Sequence, residues 1–347
     1  MDKKSKVLII KIGHSETLDP EISNATSYGD VIRTTVLLHL FKNDHVTWLV
    51  DEADYPILKG NEYIDRIMIY NLSSVLQLQA EHFDTVINLE KVPGLCALTD
   101  SIKAWRRYGF RFDERKGCAE AYDGTQEILA VCLDIEKKKK YGSFWQEGLY
   151  KMVNAEWNGE EYILGYKPKS KITYDIGFNH QVGNKWSLKA WPMDYWEKLE
   201  TIIGGKYSIS WQEGLDNMEE YFDWIHSCRL VITNDSFGLH LAIAMRKYVI
   251  GIFGPTNSSE IYLYNRGKIL MPVNFECADI PCCLRECKTN TPCIKHIYPE
   301  DVFNEIDHAF QRGLIADIHS TTSLRTNVQS KTRKQATQPQ FQRDASS

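Results

Sequence analysis

A chain of 347 residues, 43% hydrophobic and 25% charged, has room for two domains with cores of their own and the mix of a water-facing globular protein. Its formal net charge of -5 gives no basic footprint of the kind a general nucleic-acid binder carries, so no nucleic acid is expected among its partners. The first apolar run, Val7–Ile12, is too short for a signal-peptide core and is broken by Lys11, and no segment approaches a membrane span; a cytoplasmic protein is expected.

In chain order, Val7–Ile12 reads as a buried strand and Val31–Lys42 carries apolar residues at helical spacing. Val46–Val50 and Thr85–Leu89 are further strands, and the lysines after Glu136 suit a solvated helix end that complements the dipole. A polar stretch with Gly and Pro, Glu160–Lys171, reads as a hinge. The strand pattern then starts afresh at Tyr174–Phe178 and continues through Tyr207–Trp211, Leu230–Thr233 and Tyr248–Phe253, with a helix over Met218–Cys228. Strands alternating with helices imply a doubly wound, mainly parallel sheet in each half. The expected division is residues 1–165, residues 166–315, and a tail from 316 to 347 too polar to offset its ordering entropy.

Chemistry-bearing residues gather at four places. Gly29 allows a tight turn before a helix, and Asp30 then stands at the helix start; it is either a capping carboxylate or a general base facing an interdomain cleft. The loop before it, His14–Ser27, is unusually long, as functional loops often are. After the first strand of the second half come Lys185 and Lys189, followed by Pro192 at a helix start. A lysine there can meet a diphosphate as a point charge. Trp186, Trp191 and Trp196 read as packing residues.

The strand Leu230–Thr233 opens into Asn234-Asp-Ser-Phe-Gly-Leu-His, and the next strand into Phe253-Gly-Pro-Thr. Ligands bind beyond the carboxyl ends of parallel strands, so Asp235, Ser236, Gly238, His240, Gly254 and Thr256 crowd one rim, where a helix N-terminus suits a phosphate. Asn234, Asp235 and Ser236 are also the residue types that cap helices. Of nine cysteines, Cys277, Cys282, Cys283, Cys287 and Cys293 fall close together near His296. Their spacing lacks two clean Cys-x-x-Cys arms, so both a structural metal or redox knuckle and reduced thiols bracing a loop stay open.

Together Lys6-Val-Leu-Ile-Ile-Lys, Gly29-Asp-Val-Ile-Arg-Thr-Thr, Phe83-Asp-Thr-Val-Ile-Asn-Leu, Lys189-Ala-Trp-Pro, Asn234-Asp-Ser through His240-Leu-Ala and Phe253-Gly-Pro-Thr resemble glycosyltransferase family 9, the heptosyltransferase-type enzymes of lipopolysaccharide assembly. The resemblance runs from about Val7 to Ala309. It implies the GT-B architecture, two Rossmann-like domains facing a cleft, and an inverting glycosyltransferase that needs no cofactor or catalytic metal. By that resemblance Asp30 matches the base, Lys189 the lysine on the donor phosphates, and Asp235, Ser236, Gly238, His240 and Thr256 the nucleotide-sugar site. The implied donor is ADP-heptose. The implied acceptor is a lipopolysaccharide-type or other bacterial glycan, free or lipid-linked, reached with peripheral contact at the inner membrane. Two departures stand out: Phe237 follows Ser236 where the family often has glycine, which here comes one place later, and the His14–Ser27 insertion separates the first strand from Gly29. A reading from another class is a nucleotide-sugar binding or assembly protein without turnover, its cysteine region docking a partner. A dehydrogenase is disfavoured, because no Gly-x-Gly-x-x-Gly follows Val7–Lys11.

Overall fold

The run Lys-Val-Leu-Ile-Ile forms β1 (Lys6–Ile10), buried from Val7 onward on both faces, as a central parallel strand requires. The computed structural model describes residues 4–14, 26–213, 217–275, 277, 279–289 and 291–315, the side chains of Asn184 and Lys185 excepted. The expected tail at 316–347 and most of the His14–Ser27 insertion lie outside the described residues.

Around β1 the first sheet adds β2 (His45–Val50), β3 (Arg66–Ile69), β4 (His82–Asn88), β5 (Lys103–Asp113) and β6 (Cys118–Ala121), in the order β3-β2-β1-β4-β5-β6. All pairings are parallel except β5 with β6. The second sheet contains β7 (Tyr174–Asn179), β8 (Ile209–Trp211), β9 (Cys228–Asn234), β10 (Tyr248–Ile252) and β11 (Gly267–Leu270), all parallel, in the order β11-β10-β9-β7-β8. The winding direction reverses between β1 and β4 in one sheet and between β7 and β9 in the other. Ligand crevices of doubly wound sheets open at such points.

Four strands were not among the expected ones. β3, β6 and β11 are four residues long, and the Lys103-Ala-Trp-Arg-Arg start of β5 is largely solvent-facing, so none of them offers a sustained apolar run. The helix expected over Val31–Lys42 differs too. An α-helix spans Tyr28–Thr34 and tightens into a 3-10 helix over Thr35–Phe41. The Thr34 and Thr35 hydroxyls donate to the carbonyls of Asp30 and Ile32, at 2.7 and 2.5 Å, and such back-bonding distorts regular helix.

The helix Tyr28–Thr34 packs on the helix Phe237–Ala244, which follows β9. One apolar cluster therefore runs from Val7, Val31 and Ile32 through to Leu239, Leu241 and Val249. Among the described residues no helix or strand lies between Met152 and Tyr174. That extended stretch is tied on one side to Thr35 and Asn61, through Ile163. On the other side Glu161 pairs with Arg246 and Arg266. No helix among the described residues is long and apolar enough to cross a membrane.

Candidate active site

A cavity of about 580 Å³ opens where the carboxyl ends of both sheets meet. The seven residues singled out from the sequence, Asp30, Lys189, Asp235, Ser236, Gly238, His240 and Thr256, all line it. Gly254 does not; its Cα faces Ile294 and Cys293 instead. The side chain of Lys185 is outside what the structure describes.

On the first-lobe wall, the turn after β1 sets the geometry. The Ser27 N–H donates to the Gly13 carbonyl at 2.6 Å, and the helix starts at Tyr28. Gly29 is required by close approach: a Cβ there would sit 2.8 Å from Cδ2 of His240. This contact brings Asp30 to the facing lobe. Arg33, one turn later on the same helix, holds the Asp30 carboxylate at 2.8 Å and reaches Glu260 at 3.7 Å. The Arg33 guanidinium also lies 4.4 Å from the centre of the Trp145 ring. Burial alone would push the Asp30 carboxyl up. The Arg33 guanidinium, the Lys11 ammonium and a hydrogen bond from Ser27 outweigh it and hold Asp30 below the usual carboxylate range. Asp30 is therefore a charged side chain committed to Arg33, and not a simple cap; Ser27, at the capping position, makes no side-chain capping bond to the helix backbone and instead bonds the Asp30 carboxylate.

On the second-lobe wall, Lys189 closes a 3-10 turn, Asn184–Lys189, and pairs with Asp235 at 2.7 Å. Thr256 donates to the same carboxylate oxygen at 2.7 Å. Burial would raise Asp235, but Lys189 and the Thr256 hydroxyl outweigh it and lower it. Lys189 also lies 5.2 Å from the Trp186 ring centre, and Trp186 lines the cavity, whereas Trp191 and Trp196 are core residues as expected.

The expected capping role of Asn234-Asp-Ser is corrected by the structure. Asn234 accepts from the Trp191 N–H and donates to the His180 carbonyl. Asp235 is spent on Lys189. Ser236 stands at the capping position without a side-chain bond to the helix, its hydroxyl accepting from Asn179 at 3.1 Å. Ser236 is drawn away by a buried network in which Asn179 also meets Thr233 and Tyr221. Gly238 has no room for a Cβ, which would collide with the Asn179 amide and the Tyr221 hydroxyl. The start of this helix thus faces the cavity with its side-chain caps turned elsewhere.

His240 is buried, and its Nδ1 has no hydrogen-bond partner. Burial, aided by the Arg33 charge, pushes it down to about 4, so it is a neutral imidazole at physiological pH.

Arg33, Glu260, Asn179 and Tyr221 were not read from the sequence. Arg33 had a usable signal, its three-residue spacing from Asp30. Lys138, taken for part of a solvated helix end, lines the cavity beside Cys283. All nine cysteines are free thiols. Burial pushes the Cys293 thiol up to about 11, with Cys282, Cys287 and Cys277 near enough to add to the shift. Among the described residues no three His, Cys, Asp or Glu side chains gather closely enough to hold a metal ion.

Comparison with known proteins follows the same lines. The family model described as Glycosyltransferase family 9 (heptosyltransferase) matches residues 214–291, a span that takes in β9, the Asp235–His240 turn and Thr256. No curated protein matches the chain. Among solved structures, the E. coli heptosyltransferase WaaC with ADP-2-deoxy-2-fluoro heptose aligns at TM-score 0.56 and 16% identity, over 87% of this chain and 99% of that one. E. coli ADP-heptose lps heptosyltransferase II aligns at TM-score 0.62 and 12% identity, over 88% and 99%. The iron-containing dodecameric glycosyltransferase TibC from enterotoxigenic E. coli aligns at 0.53 and 10%, over 89% and 79%. The chain has the GT-B architecture of these proteins, and its resemblance to glycosyltransferase family 9 holds.

Proposed function

We propose that the protein is an inverting, metal-independent glycosyltransferase that moves a sugar, a heptose by family resemblance, from an ADP-linked donor to a hydroxyl of a bacterial glycan. The supporting observation is that Asp30 from one lobe and the Lys189–Asp235–Thr256 group from the other line a single cavity. The division at residue 165 is the corresponding proposal for the lobes.

In this reading the donor lies along the second-lobe wall, with its diphosphate at Lys189 and the start of the helix Phe237–Ala244. Lys189 carries three donor protons; Asp235 orients it and leaves the others for phosphate oxygens. The acceptor oxygen attacks the anomeric carbon from the opposite face as the bond to the diphosphate breaks. Its proton passes to Asp30, and the new negative charge on the departing diphosphate is met by Lys189 and the helix N-terminus, more strongly in the transition state than before it. The lowered proton affinity of Asp30 keeps it ionised and ready. It suffices as a base because the attacking hydroxyl becomes acidic as its oxygen bonds to an oxocarbenium-like carbon. Neutral His240 offers an uncharged hydrogen-bonding group to the sugar or phosphate. The acceptor in this proposal is a free or lipid-linked glycan, met in the cytoplasm at the inner membrane.

Thermal shift against ADP, UDP, GDP and CDP tests the reading. ADP is expected to stabilise most, by about 2.7 kcal/mol when present at 100 times its dissociation constant. Indifference to all four nucleotides would remove the donor assignment.

A further inference from the structure

One feature of the cavity is left unused by this mechanism. Tyr28, at the start of the first-lobe helix, and Phe237, at the start of the second-lobe helix, both line the cavity and are only partly covered. Their ring centres are 5.3 Å apart, with planes tilted by 57°. Phe237 is backed by Tyr221 at 5.8 Å and Phe222 at 6.4 Å, so its position is fixed from behind. The glycine-mediated approach of Gly29 to His240 fixes the two helix starts against each other. A pair of rings is thus held open to the cavity, with Tyr28 two residues before Asp30.

We propose that Tyr28 and Phe237 form a stacking platform for a neutral pyranose unit of the acceptor, which they present to Asp30. The inference rests on the reading of Asp30 as the base. A pyranose carries hydroxyls around its rim and C–H groups on its faces. The C–H groups suit the electron-rich face of an aromatic ring, and a rim hydroxyl is then free to point at the carboxylate.

Charge argues for a neutral unit. Burial raises the Tyr28 hydroxyl, the nearby Asp51 carboxylate adds to that rise, and the ionised Asp30 stands on the same helix. Arg33 is held by Asp30 and Glu260, and Lys189 by Asp235. An acidic sugar placed on these rings would meet like charge, which specific sites use to reject ligands.

The test uses the full chain, with and without ADP, and two probes that differ only in charge: methyl β-glucopyranoside and methyl β-glucuronide. Saturation-transfer NMR reads which ring protons touch the protein, and titration gives affinities. The glucoside is expected to receive saturation on the C–H groups of one face and to bind roughly tenfold more tightly than the glucuronide. Phe237→Leu, and separately Tyr28→Leu, keep apolar bulk without the ring face; each is expected to weaken glucoside binding several-fold. Equal or tighter binding of the glucuronide, binding of neither sugar, or unchanged glucoside affinity in both folded variants overturns the platform. ADP affinity is read in the same samples. Loss of the ADP response with the sugar pattern intact sinks the donor reading alone, and the converse sinks the platform alone.

Discussion

Removing the Lys189 ammonium tests the second-lobe wall most sharply. In Lys189→Met the apolar stem is kept, and Asp235 is left with only the Thr256 hydroxyl. The two charged side chains of the native pair are 16% and 13% exposed. Breaking a buried pair by deleting one partner costs about 3–5 kcal/mol, and the residual exposure favours the lower end. For a chain of this size about 3 kcal/mol corresponds to a fall in melting temperature of about 4 °C. The sign with pH also follows. In the native protein Asp235 is lowered, so its contribution is present above the unfolded value of about 3.9 and is lost only as pH falls through the lower folded value. In Lys189→Met the buried carboxylate has lost its cation, so the deficit is largest at neutral pH and narrows on acidification. Calorimetry at pH 7.5 and 5, with Asp235→Asn and the double variant, completes the cycle; the double variant is expected to recover most of the loss. A Lys189→Met protein as stable as wild type at pH 7.5, with additive double-variant behaviour, would refute this account of the wall.

Other outcomes follow from the same geometry. Gly29→Ala gains about 0.5–1 kcal/mol of helix propensity, but its methyl would lie 2.8 Å from the buried His240 ring. Overpacking of about 1–3 kcal/mol prevails, so the variant is expected to melt lower and to lose activity; a more stable, fully active Gly29→Ala would show that the two helix starts have slack. Asp54 is fully buried with both oxygens unpartnered, and burial, reinforced by Asp51, pushes it up to about 8. A raised carboxyl favours the folded state below its unfolded value of about 3.9, and that advantage is lost as pH rises towards 8, by on the order of 1.4 kcal/mol per pH unit. Asp54→Asn is therefore expected to flatten the fall in stability between pH 5 and 8, measured by denaturant titration; an unchanged slope would mean Asp54 is ionised in the fold.

Much of the architecture was legible because central parallel strands advertise themselves. Val7–Ile10 is apolar without interruption, and Val46–Val50 and Tyr248–Ile252 carry no charged residue, since both faces are covered. The strand β5 and the edge strand β11 were hidden, because a strand with one wet face or four residues leaves little pattern. At the candidate site, residues carried by strand-end turns were readable, because topology alone places Asp30, Asp235 and Thr256 on the rim. Partnerships across the fold were not. Glu260 meets Arg33 from a short 3-10 helix far along the chain, and Asn179 pulls Ser236 from its capping role. Such pairings depend on how two sheets approach, which no local spacing encodes. The place of Lys138 on the cavity wall was hidden for the same reason: its run of lysines forms the solvated helix end expected, and only the assembled fold sets one of them beside the cavity.

Turnover and donor binding measured on Asp30→Asn bear most directly on the central claim. A positioned base contributes about 10²–10⁴ in rate. The variant keeps the shape of the first-lobe wall and leaves Lys189, Asp235 and Thr256 untouched. It is expected to bind ADP as the native protein does while sugar transfer falls at least 100-fold. Transfer at the native rate by Asp30→Asn would contradict the account.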